Sequence, residues 1–104
     1  MQRKSLFSWK VLLSLLFISG FVSGCAGIPA QEMYDARQAV LAAKNAGAAD
    51  YAPELYSEAE TLVKSAKLHM NDRDYRRARD DAERARAKAM EARRVSEAAT
   101  EQIN

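Results

Sequence analysis

Residues 75–103 read YRRARDDAERARAKAMEARRVSEAATEQI, and the fold turns on this stretch. Tyr75, Ala78, Ala82, Ala85, Ala89, Ala92, Ser96, Ala99 and Ile103 recur at alternating spacings of three and four. That period lines up one face of a helix as a seam against a neighbouring helix. The spacing predicts a helix from about Asp74 to near Glu101, roughly 40 Å long at 1.5 Å per residue. Its seam is built of alanine rather than leucine, which lets a neighbouring backbone come close.

The same period occurs twice upstream, in Met33, Ala36, Val40, Ala43 and Gly47, and in Leu55, Ala59, Leu62, Ala66 and His69. The first helix is expected from about Ala30 to Ala46, stopping at Gly47. Residues 48–52 read as a loop, because residues before a proline avoid the α region. Pro53 suits the first position of a helix, and Glu54 follows in the first turn, where the helix dipole favours a negative charge. That second helix fades near Met70, and Asn71-Asp72-Arg73-Asp74 reads as a turn and N-cap. Short connections force antiparallel neighbours, and no strand pattern is present. The fold class is all-α, an antiparallel helical hairpin or three-helix bundle with alanine-rich heptad seams.

Ahead of the helices, Arg3, Lys4 and Lys10 precede an apolar run from Val11 to Val22, and Gly20, Ser23 and Gly24 give a small-residue exit. This is the three-part build of an export signal. A bilayer-spanning helix needs about 20 apolar residues, more than lie between Lys10 and Gly24. The run Val22-Ser23-Gly24-Cys25 resembles a bacterial lipobox, in which the cysteine is alkylated with diacylglycerol and the bond before it is cut. Cys25 is the sole cysteine of the chain, and lipidation would consume its thiol. The expected organisation is a lipoprotein signal peptide at 1–24, a lipidated linker at 25–29 and a helical domain at 30–104. One acyl chain holds a protein to a membrane only reversibly, whereas lipoproteins of this kind carry two or three. Ala26 after the cysteine, by resemblance to the sorting rule of enteric-type Gram-negative lipoproteins, favours the periplasmic face of the outer membrane.

The formal net charge of +2 belongs to the whole chain. Three of its 16 basic residues lie in the signal, so the part from Cys25 onward carries 13 against 14 acidic residues. A nucleic-acid partner is therefore not expected. That part has 20 alanines and neither Phe nor Trp. Each buried alanine methyl contributes only about 0.8 kcal/mol, so the core must be thin. Charge is segregated along the chain. Residues 73–94 hold nine basic against five acidic side chains, and residues 25–62 hold two against six. Folding the third helix back on the first two sets these fields side by side. Within it, Arg76 with Asp80, Asp80 with Arg84 and Arg93 with Glu97 are spaced for i,i+4 pairs.

Catalytic chemistry finds little to work with. His69 is the one histidine, and Ser65 stands four residues before it as a helical neighbour. A zinc site draws four ligands from His, Cys and carboxylates, and no such cluster occurs. There is no Gly-rich phosphate loop. No catalytic residue, metal or cofactor is expected. The four tyrosines after the signal supply most of the large contact area, Tyr51 and Tyr75 at the two turns. The candidate interaction surface comprises Tyr34, Tyr56, Arg76, Arg77, Arg84, Arg93 and Arg94. Its arginines are either a solvated helix face or a contact for anionic headgroups or an acidic polymer near the anchor.

The stretch Gly47, Tyr51-Ala52-Pro53-Glu54-Leu55, Ala59, Leu62, Ala66, Asp74-Tyr75, Ala78, Ala82, Ala85 and Ala89 resembles the small helical envelope lipoproteins grouped as domain of unknown function 4398. The likeness covers about residues 30–95. It implies an envelope lipoprotein with a helical hairpin and no assigned catalytic residues. Some relatives continue into an OmpA-like peptidoglycan-binding domain, a function not carried over to this chain. A second resemblance is to the murein lipoprotein, also small, lipidated and heptad-patterned. That protein is one unbroken helix ending in a lysine joined to peptidoglycan, whereas Gly47, Pro53 and the 71–74 turn interrupt this chain. The expected function is a non-catalytic binding or scaffolding module of the envelope. It would be held to the membrane by lipid and face an envelope-protein or cell-wall partner. The alternative is a self-assembling structural lipoprotein, a homo-oligomer whose seams join chains.

Overall fold

A computed structural model describes residues 27–103. The expected signal peptide and lipobox, with Cys25, lie outside the described residues. Four helices follow in order: α1 (Ala30–Asn45), α2 (Ala48–Tyr51), α3 (Pro53–Asn71) and α4 (Tyr75–Ile103). No strand occurs among the described residues, and the fold is all-α, as the periodicity predicts.

Residues 48–52 depart from the expected loop. Gly47 adopts φ +87°, the left-handed region that ends a helix, and its N–H donates to the Lys44 carbonyl at 3.0 Å. The Gly47 carbonyl then accepts from both Asp50 and Tyr51 N–H at 3.0 Å, and Ala52 N–H donates to Ala48 at 2.9 Å. These bonds wind Ala48–Tyr51 into the single turn of α2 and bury Ala48. The restriction imposed by Pro53 falls on Ala52 alone, which leaves the helical region at φ −144°, ψ 56°.

The second turn is a Schellman closure. Asp74 N–H donates to the His69 carbonyl at 2.8 Å and Arg73 N–H to Met70 at 3.1 Å, with Arg73 at φ +61°. Asp74 then caps α4, its Oδ1 accepting from Arg77 N–H at 3.3 Å.

The core divides into two layers. Met33 and Ala36 of α1 meet Ala66 of α3 and Ala82 and Ala85 of α4, with Leu62, Val63 and Met70 half-buried around them. Ala43, Ala48, Ala52 and Ala59 meet Ala89 and Ala92, with Val40, Leu55, Tyr56 and Val95 at the edges. Hence α1 and α4 run in the same direction, and α3 runs antiparallel to both. α4 packs along both, whereas α1 and α3 touch over a shorter stretch. The α4 seam is buried from Ala78 to Ser96 and opens at its end, where Ile103 is 69% exposed. Ser96 tolerates full burial because its hydroxyl donates to the Ala92 carbonyl at 2.7 Å.

The segregated charges meet as expected in two places. Arg79 Nε lies 3.4 Å from Glu32 Oε1, tying α4 to α1, and Lys88 Nζ lies 3.4 Å from Glu58 Oε2, tying α4 to α3. Of the i,i+4 pairs, Arg93–Glu97 forms at 2.7 Å. Arg84 turns to Asp81 at 3.7 Å rather than to Asp80, because Asp81 faces α3 and is already drawn into the interface.

Candidate interaction surface

The seven residues singled out from sequence do not form one patch. Tyr34 is 58% exposed on the outer side of α1. Arg76 and Arg94 share the outer face of α4 but stand eighteen residues apart, about 27 Å along the helix. Arg77 is held by Asp74 at 3.5 Å, and Arg84 points toward α3. Tyr56 stands at the edge of the core. It is half-buried against the upper alanine layer, since α3 turns this side toward α1. Burial pushes the Tyr56 phenol above its ordinary pKa, and the nearby Glu60 carboxylate adds to the shift.

Arg93 belongs to a groove between α1 and α4 on the side away from α3. Two adjoining open clefts, of about 510 and 470 Å³, share Ala42 and Arg93. One continues past Asn45 and Ala46 toward Glu97 and Thr100, the other past Asp35, Gln38 and Ala39 toward Arg86 and Met90. The groove has an alanine floor and walls of charged and amide side chains, with Met90 as the apolar side chain on the α4 wall. Met90 is 54% exposed, and Leu41 stands 48% exposed on the outer side of α1. Sequence reading passed over this groove. The signal was a second alanine stripe, Ala39, Ala42 and Ala46, beside the core stripe of α1, and a lone methionine among the charges of α4.

On the other side of α4 lies a polar cluster. Ser65 Oγ donates to Asp81 Oδ2 at 2.5 Å, His69 Nε2 lies 3.5 Å from the same oxygen, and Arg84 approaches the other. A hydrolytic triad needs its base beside the nucleophile. Here the serine and the histidine both address the carboxylate and not each other, so the cluster joins α3 to α4 without activating the hydroxyl. Among the described residues no three His, Cys, Asp or Glu side chains gather as a metal site requires, and no helix is long and apolar enough to cross a membrane.

Fold and surface together define a small alanine-seamed helical bundle with an open groove along one side. The chain belongs to the family described as Domain of unknown function (DUF4398), whose model matches residues 31–103. No curated protein and no solved structure matches it.

Proposed function

We propose that this chain is an exported lipoprotein, held by lipid on Cys25 at the periplasmic face of the outer membrane. There its bundle acts as a non-catalytic binding or scaffolding module for an envelope protein. The observation that carries the module reading is where the alanine seams go. Ala36, Ala43, Ala59, Ala66, Ala78, Ala82, Ala85, Ala89 and Ala92 have no exposed surface within one chain. Seams closed in this way are not free to join copies, which disfavours the self-assembling alternative. The α1–α4 groove, with Arg93 and Met90, is a concave surface open to a partner. The anchor rests on the lipobox, and the burial of Pro29 against the bundle supports a short tether.

The test joins fractionation to mass. Wild-type protein should sediment with outer membranes carrying diacylglycerol on Cys25, and Cys25→Ser should accumulate as uncleaved, unlipidated precursor. A normally cleaved, membrane-bound Cys25→Ser protein overturns the anchor. Sedimentation equilibrium of the lipidated protein in detergent should return a protein monomer. A defined dimer or trimer would instead place the structural alternative first.

A further inference from the structure

The Schellman turn between α3 and α4 has an unusual residue at its left-handed position. Its left-handed position is occupied by Arg73 at φ +61°, where the equivalent position of the first turn has Gly47 at φ +87°. L side chains rarely adopt this conformation, and glycine is the usual residue at such a helix end. The two Schellman hydrogen bonds hold this conformation, and left-handed non-glycine residues cluster at functional sites. Arg73 is exposed at the apex of the turn. Its neighbour Arg77 is held by Asp74, whereas Arg73 and Arg76 reach no ion-pair partner among the described residues. Asp72 and Asp80 are the nearby acids outside the cap, and residues 67–80 together hold five basic against three acidic side chains, a small positive excess.

The chain enters the bundle at this same end. Arg79 Nη2 donates to the Gly27 carbonyl at 3.2 Å while its Nε faces Glu32, and Pro29 is fully buried. Residues 27–29 are thereby fastened beside the second turn of α4. Cys25 stands two residues earlier, a covalent reach of at most about 7 Å. Ile28 between them is 60% exposed.

We infer that the α3–α4 tip rests on anionic phospholipid, with Arg73 and Arg76 on headgroup phosphates and Ile28 at the interface. This rests on the lipid-anchor reading of Cys25. Two arginines, worth roughly fivefold each near an anionic surface, are too few to capture a free chain. They suffice to orient one that its lipid already tethers. The bundle then stands tip-down, with the C-terminal end of α4 and the upper groove directed away from the membrane.

The experiment uses lipidated full-length protein in vesicles. Because the Cys25 thiol is taken by lipid, a fluorophore goes on a cysteine introduced by Asn71→Cys at the tip or Gln102→Cys at the far end. Headgroup-labelled quencher lipid reports proximity. In vesicles of one-third phosphatidylglycerol, quenching at 71 should exceed that at 102 by about twofold or more. The excess should fall by at least half in phosphatidylcholine alone, and likewise with Arg73→Gly combined with Arg76→Gln. In solution Arg73→Gly should melt a few degrees higher, which shows that its effect on quenching is not loss of fold. Equal quenching at the two positions overturns the inference. So does a tip excess indifferent to lipid charge and to the substitutions, since the short tether alone would then set the orientation. A Cys25 peptide without diacylglycerol overturns the anchor and this inference together, so intact mass separates the two failures.

Discussion

Tyr56 links the stability of an alanine-rich bundle to pH. Its ring packs at the edge of the upper layer, and its phenol is held above the ordinary value of 10.0, first by burial and then by Glu60. A tyrosine whose folded pKa is raised favours the folded state while neutral. That contribution is complete below the unfolded value and is lost as pH climbs from about 10 through the folded pKa. Thermal melting of the wild type should therefore fall between about pH 9 and pH 11 more steeply than that of Tyr56→Phe. The difference between the two proteins, read at each pH, isolates this phenol from the other basic and phenolic groups. Parallel curves would mean that the phenol keeps its unfolded environment in the bundle.

The two turns show how one backbone problem is solved with different residues, and why only one solution is legible. Gly47 after an apolar-periodic run announces a helix end, and the first helix ends there. Pro53 likewise marks the start of α3. What lies between was not readable, because the single turn of α2 is made by carbonyl Gly47 and by burial of Ala48, a tertiary event without a local motif. Arg73 was equally silent, since arginine carries no preference for the left-handed region. The seam positions, by contrast, were nearly all readable from spacing. The groove was not, because Ala39, Ala42 and Ala46 look in sequence like more core. Gly47→Ala tests the first turn. The new Cβ would sit 3.2 and 3.3 Å from the Tyr51 ring carbons, at a φ that an L residue resists. The expected cost is about 1–2 kcal/mol, a fall of roughly 5–15 °C in Tm. An unchanged melt would show that the turn relaxes freely around position 47.

At the scale of the molecule, the arrangement is a long central helix flanked on two sides, with alanine at nearly every buried position. Such a core gains little from transfer of apolar area and depends on close backbone approach, so its total stability should be of the order of 5 kcal/mol. The interhelical ties Arg79–Glu32 and Lys88–Glu58 are half-exposed and add little beyond fixing which neighbour α4 faces. A core this thin has no reserve against a buried charge. Ala85 is fully enclosed in the lower layer, facing Met33, Ala36 and Ala66, with no cationic partner in that layer. Ala85→Glu forces the carboxylate either to lose its water or to pry the helices apart, at a cost of about 3–5 kcal/mol. The substitution should leave the chain largely unfolded near 37 °C, read as lost helicity by circular dichroism. Ala87→Glu, two residues on and exposed, makes the same chemical change on the outer face of α4 and should melt as the wild type does. If both variants kept wild-type melting, the alanine seam would not be the buried face of the bundle. If both lost it, helix propensity rather than packing would hold α4, and the closed seam could no longer count against assembly between chains.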